Sequence, residues 1–549
     1  MNSRQPILVA PAAALSRHRA LFTMLESLYP TAFVGGALTD CPEAAGAIFW
    51  AEDSRDLGAL AARGVESLAI LAPANPAVAV DRGRVTFSDA PAVDRCFRRA
   101  TLRERGVAEF TPLRRDAGDD LICTLDGEPG WIRRRHERGS ISIVALEPPL
   151  IQGTDTLYRH FNRLQWLRLL PFLEFVQRLT REHDWTPPPL RACLMFDDPN
   201  LHWGRYGFID YHALARHAEE HNYHAAFATV PADGWYVHAA TAQLFREQPA
   251  HLSLLMHGNN HESAELGRER SLEEFAGTLA QALRRIDRFE RRSGLAVARV
   301  MAPPYGAFSV GAANTMLQLG YEAVCVSRAS ITSWNQHAAW PVGFGGGPAE
   351  FLADGLPLIP RHVLAPEQID TYRLAAFLGQ PIIPHGHQHD CAGGLDLLAN
   401  TAAAINGLGA VRWCNLTELC RSNYQTRREG DTLLVRMFAR QVTLPPPEPD
   451  VRRLVVVRPW LESGESHEEP LFCQQGDQLR HAGTNARVSR EIPLGGPLPI
   501  ALHAPPRATL NPAQLAPPSR RVWPVVRRLL AEGRDRLTPL VARPRRTTA

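Results

Sequence analysis

Short apolar runs alternate with stretches of helical period along the first three quarters of the chain. "PILVA" (6–10), "GAIFWA" (46–51), "SLAILAPA" (67–74) and "SISIVALEPP" (140–149) read as strands buried on both faces. "LSRHRALFTMLESLY" (15–29) and "DLGALAARG" (56–64) carry apolar positions at helical spacing between them. That rhythm predicts a small doubly wound α/β domain over 1–150. A helical connector follows over 151–189, where Leu157, Phe161, Leu164 and Leu167 share a face. Pro171 is expected to kink or divide it, because proline removes a helix hydrogen bond. "TPPPL" (186–190) reads as a linker.

From 190 to 425 the strand and helix rhythm becomes more regular. Candidate strands are "RACLMF", "HAAFATV", "HLSLLMH", "ARVMAP", "YEAVCVS", "LPLIPRH", "QPIIPH" and "AVRWCNL". Helical patterns such as "DYHALARHAEEHN" and "SLEEFAGTLAQALRRIDRFERR" separate most of them. Seven or eight such units over roughly 230 residues predict a (β/α)7-8 barrel. Over 426–518 the helical period disappears, and strand-like alternation predicts a small β-sandwich-like domain. The segment 519–549 is a basic amphipathic helix; it could lie on an acidic membrane surface or a partner, and docking on its own domain is the plainer expectation.

Composition narrows the function classes. The net charge of +3 gives no argument for nucleic acid as a partner. There is no lysine, which excludes Schiff-base chemistry. The nine cysteines are scattered and none forms a CxxC pair, so neither a zinc ribbon nor a disulfide framework is expected and a reducing, cytoplasmic setting is. Pro11 interrupts the N-terminal apolar run, which therefore reads as a strand and not a signal peptide. No apolar run approaches the ~18 residues of a spanning helix. "WIRRRHERG" (131–139) is expected to be a solvated hairpin, and "FGGGP" (344–348) a flexible loop and not a phosphate cradle. The histidines at 202, 212, 217, 221 and 224 are expected to be mostly surface, with His202 and Trp203 near enough to the aspartates to line a cleft.

Chemistry in such a barrel collects where strands end. "RACLMF" runs into Asp197 and Asp198, adjacent carboxylates that would repel unless a cation sat between them. "HLSLLM" runs into "HGNNH", with His257 and His261 four apart. On one helical turn both imidazoles would reach a single ion. "ARVMA" leads to "PPYG" with Tyr305, and "QPIIP" to "HGHQHD" with His385 and His387. Two histidines and one carboxylate make a facial set with open positions, and the second carboxylate is free to act as a base.

"FDDPN" (196–200), "HGNNH" (257–261), "APPYG" (302–306) and "PIIPHGH" (381–387), in that order, resemble the polysaccharide deacetylase superfamily (NodB homology, carbohydrate esterase family four) over roughly 190–425. The resemblance implies a distorted barrel and a divalent metal, zinc first among the candidates. It assigns Asp197 as general base and Asp198, His257 and His261 as metal ligands. Tyr305 would supply a backbone N–H to the oxyanion, and His385 would be the general acid, with His387 as its rival. The chain departs from the pattern at Ala302, where the family carries the arginine that orients the base. Arg299 is displaced from that position, and Arg328 or Arg361 could replace the cation. The fourth motif survives as "SITSW" with Trp334.

The implied activity is metal-dependent hydrolysis of N-acyl C–N bonds other than peptide bonds, with an amino-sugar or polysaccharide intermediate as substrate. An alternative is a hydrolase of a small ureide, cyclic amide or formamide. A second is a catalytically inactive carbohydrate-binding scaffold in polysaccharide assembly.

Overall fold

The protein is described by a computed structural model covering residues 6–37, 43–51, 57–58, 60–61, 64–71, 80–107, 110–180, 185–461, 469–482, 487–518 and 522–541. It separates into two compact units. One comprises Met1–Trp185 with Ala339–Gly347, the other Thr186–Ala338 with Pro348–Ala549.

The first unit is built on a nine-stranded sheet. Phe33–Gly35, Ile7–Ala10, Gly46–Ala51, Ser67–Leu71 and Gly139–Val144 lie parallel, as their apolar runs demand. Beyond them the sheet turns antiparallel through Glu128–His136, Asp120–Leu125, Val80–Phe87 and Thr101–Val107. The domain is therefore a mixed sheet and not doubly wound throughout. The reason lies in Asp126 and Gly127, whose φ values of 51° and 92° make a two-residue hairpin turn. An Asp-Gly pair favours that turn because both residues tolerate positive φ. "WIRRRHERG" does form a hairpin, but Arg133 is buried and pairs with Glu174 at 2.9 Å. The helix expected over 56–64 lies partly outside the described residues, and 57–58 and 60–61 are helical.

The connector divides into helices Leu157–Asn162 and Leu170–Thr180. The break precedes Pro171, which sits in the first turn of the second helix, where a missing N–H costs nothing. The buried Glu104 carboxylate accepts the amides of Trp166 (2.7 Å) and Leu167 (3.0 Å) at the break. Burial raises its pKa to about 8. Phe344, in the glycine-rich "FGGGP", accepts the Tyr158 amide at 2.9 Å in this unit.

The second unit contains another nine-stranded sheet. Leu194–Asp197, Ala225–Thr229, Leu252–His257, Val297–Ala302, Ala323–Val326 and Leu356–Pro360 follow one another in parallel, with Glu350–Leu352 antiparallel at that edge. On the other side of Leu194–Asp197 lie Pro384–Gly386 and then His362–Val363, also parallel. No described ladder closes the sheet into a ring, so a closed barrel is not formed by strand pairing. The chain itself joins Leu356–Pro360 to the opposite edge strand His362–Val363. Arg361 gives its amide to Val326 (3.4 Å) and His362 gives its own to Ile383 (2.9 Å), so adjacent residues bond to the two sides of the sheet.

Side chains from these strands form one buried apolar cluster that includes Met195, Leu255, Val300, Ile359 and Ile383. Leu416, Leu419 and Cys420 of the helix Leu416–Arg421 join it. Beyond these strands, two four-stranded sheets share an apolar core around Val435, Leu454, Cys473 and Leu502. The eight described cysteines are all buried. No described helix is long and apolar enough to cross a membrane.

Candidate metal centre

Strand alternation builds the site. Side chains two apart face the same way, so the residue two steps beyond each apolar member of the cluster stands over it at the strand end. Met195 leads to Asp197, Leu255 to His257, Val300 to Ala302, Ile359 to Arg361 and Ile383 to His385. An apolar floor is thus followed by a layer in which Asp197, His257, Arg361 and His385 are titratable and Ala302 is not. Asp198 is out of that register, and a φ of 83° turns it back toward the others.

Asp198, His257 and His261 bring their ligand atoms within 4.8 Å of one another. Asp198 Oδ1 lies 3.0 Å from His261 Nε2 and 3.8 Å from His257 Nε2. His257 Nδ1 donates to the Ala302 carbonyl at 2.8 Å, which fixes the tautomer and leaves the Nε2 lone pair facing Asp198. His261 Nδ1 is buried and has no hydrogen-bond partner among the described residues. Two imidazole nitrogens and a carboxylate oxygen suit a divalent ion such as zinc, with a position left for water or substrate. Burial opposes ionisation of Asp198, but hydrogen bonding to His261 and the charges of His257, His261 and Arg528 hold its pKa well below the usual range. Burial pushes His257 down to about 4.

The histidines meet by a route other than the helical turn expected from their spacing. Residues 258–261 form a loop, with positive φ at Gly258 (62°) and His261 (58°). The buried Glu265 carboxylate accepts the amides of Asn259, Asn260 and His261 at 2.6, 3.0 and 3.1 Å. Glu265 did not stand out in the sequence. Its signal is one of two acids just beyond the loop, Glu262 and Glu265, which nothing distinguishes from a solvated one until the fold is known.

Asp197 is buried, and Arg361 Nη1 lies 2.9 Å from each of its carboxylate oxygens. Burial alone would raise its pKa; Arg361, with lesser effects from His257, His385 and His387, holds it at about 2. Of the arginines considered for this place, Arg361 takes it. Arg328 is engaged by Glu350 at 3.0 Å, and Arg299 by Glu290 at 2.7 Å and Asp287 at 2.9 Å. Ala302 supplies a carbonyl to the His257 imidazole in place of a guanidinium to the base.

His385 Nδ1 donates to the His362 carbonyl at 2.6 Å, and burial lowers its pKa to about 4. His387 is exposed, and its amide donates to Asp390 at 2.7 Å. Tyr305 has a φ of 59° in the turn Pro304–Gly306, with its ring 5.2 Å from that of His261. Trp334 ends the helix Arg328–Trp334 and is partly exposed. His202 and His224 are buried and not on the surface as expected. His224 bonds the Ala250 carbonyl and Ser253 Oγ at 2.8 and 2.7 Å, and His202 bonds the Asp233 carbonyl at 2.8 Å.

The helix Trp523–Val541 packs against this site through its polar side chains. Arg528 is buried, pairs with Asp233, and places Nη1 3.5 Å from Asp198 Oδ1. Arg527 donates to the His261 carbonyl and the Tyr305 hydroxyl. Glu532 accepts from His202 at 3.0 Å, and Asp535 from the Tyr206 hydroxyl at 2.9 Å.

No protein-family model and no curated protein matches the chain. Solved structures show a distant likeness. A family 4 carbohydrate esterase from Streptomyces lividans, in complex with acetate, is 15% identical over 41% of this chain and 87% of its own, with a TM-score of 0.21. The Xyl-CE4 domain of a multidomain xylanase from the hindgut metagenome of Trinervitermes trinervoides is 15% identical over 42% and 89%, with a TM-score of 0.25. A CE4 family pseudoenzyme from Bacillus anthracis is 13% identical over 42% and 66%, also with a TM-score of 0.25.

Proposed function

We propose that the second unit, on a distorted (β/α) barrel, is a metal-dependent hydrolase of N-acyl bonds that deacetylates an amino sugar or a polysaccharide intermediate. The observation that carries this reading is the pairing of an Asp198, His257, His261 donor set with a separate, buried Asp197 clamped by Arg361. The motif resemblance over 190–425 supplies the substrate class.

An ion held by Asp198, His257 and His261 would polarise an acyl carbonyl and acidify water at the same place. Asp197, kept ionised by Arg361, takes the proton from the attacking water. The Tyr305 amide donates to the carbonyl oxygen as it gains charge, worth about 3 kcal/mol in the transition state. His385, its Nδ1 tied to a carbonyl, receives at Nε2 the proton that Asp197 took from water and hands it to the departing nitrogen. Water is consumed, and a carboxylic acid and an amine leave.

The test is zinc content by mass spectrometry followed by acetate release from N-acetylated sugar oligomers, with cyclic amides and formamides in parallel. Stoichiometric metal and acetate release support the reading. Acid release from the cyclic amides or formamides alone transfers the site to the small-molecule alternative, and metal-free protein overturns the reading.

A further inference from the structure

An amphipathic helix on a soluble domain normally turns its apolar stripe inward. The helix Trp523–Val541 does the reverse. Its buried stripe is charged, with Arg528 and Asp535 almost fully covered, while Trp523, Val525, Leu529, Leu530 and Leu537 are each more than half exposed. The inward stripe is held by specific polar partners at the site: Asp198, Asp233, His202 and Tyr206. The guanidinium of Arg528 thus places positive charge beside the carboxylate that an ion would need. The surrounding sequence is strongly basic, with nine arginines against two acidic residues between 520 and 546. A helix with an apolar stripe and excess arginine matches one chemical surface in particular, an anionic bilayer interface. There the apolar stripe enters the acyl boundary and the arginines meet phosphate headgroups.

We propose that the C-terminal helix is a removable cover on the Asp198 centre, lifted when its outward apolar stripe and flanking arginines adsorb to an anionic lipid surface. Docked, it sets Arg527 against Tyr305 and Arg528 against Asp198, where substrate and ion would enter. Adsorbed, it takes those arginines away, and the site opens at the membrane. The proposal rests on the metal-centre reading for its functional meaning, but the covering itself can be measured without metal.

The experiment uses the full chain, with vesicles of mixed phosphatidylglycerol and phosphatidylcholine against phosphatidylcholine alone. Co-sedimentation is expected to be tighter on the anionic vesicles by at least about tenfold, since each arginine near such a surface adds to the attraction. Hydrogen exchange at 257–261 is expected to quicken on those vesicles and in Arg528→Gln without them. Equal binding to both vesicle types overturns the proposal. So does binding that leaves exchange at 257–261 unchanged, or an Arg528→Gln variant whose exchange matches the parent. Zinc titration of parent and Arg528→Gln separates the two readings. Tighter zinc binding by the variant supports the cover as a competitor for Asp198. Exchange behaving as expected while no form takes up zinc removes the metal centre and leaves the cover standing.

Discussion

Both units contain a nine-stranded sheet with buried charge, yet they spend that charge differently. In the first, Glu104 accepts two backbone amides at a helix break, and Arg133 meets Glu174. Each buried charge there has one structural errand. In the second, Asp197 and Asp198 at one strand end meet His257, Arg361 and His385 from three others, and several of them perturb the Asp197 carboxylate. A shifted pKa alone does not separate the two cases, since Glu104 is displaced further than Asp197, His257 or His385. Convergence from remote strands does.

The sharpest break in that contrast is His257→Ala. It should lower zinc affinity by more than about 100-fold and reduce turnover to background, since even partners of a ligand cost up to that much; calorimetric zinc titration checks it. Next is Asp197→Asn, expected to keep the metal and lose about 10²–10⁴-fold in turnover, as loss of a positioned base does. Acetate release on metal-loaded protein decides it, and a variant as fast as the parent removes the base assignment. Arg361→Met follows. Without the guanidinium the Asp197 pKa rises from about 2, so protonation of the base begins at higher pH and the acid limb of the rate profile moves upward.

The smallest effects lie in stability and have opposite signs in the two units. Glu104 binds its proton more tightly folded, at about 8 against 4.5, so its contribution is full below 4.5 and is lost as pH rises through 8. Glu104→Gln should flatten that alkaline decline in urea unfolding and leave zinc binding untouched. In the second unit, burial holds His224 at about 4 and His362 at about 3, against 6.5. The unfolded chain then binds more protons, so stability is present above 6.5 and falls as the pH drops toward 4. Urea midpoints measured across pH 4–8 follow both.

Much of the site was legible because apolar runs ending in Asp, His or Arg are visible in one dimension. Period-two alternation does not separate His385 from His387, which share a face; the structure does, with His385 Nδ1 tied to the His362 carbonyl and His387 exposed. Other features were not legible. The Asp126–Gly127 turn carried a hairpin signal that the flanking apolar runs masked. The HxxxH spacing suggested a helix, while the loop is shaped by three amides on Glu265. Neither Arg328 nor Arg361 announces its partner, because the Asp197–Arg361 pair joins residues 164 positions apart.

By itself the sequence determined the strands, their order of chemistry-bearing ends and the donor types, because burial and side-chain alternation are local properties. Only the tertiary structure decided which cation meets Asp197, how His261 reaches Asp198, and that the C-terminal helix buries its charged stripe. Those outcomes depend on distances between remote segments. For the helix, the polar partners at the site mouth outweigh the ordinary preference of an amphipathic helix to hide its apolar face.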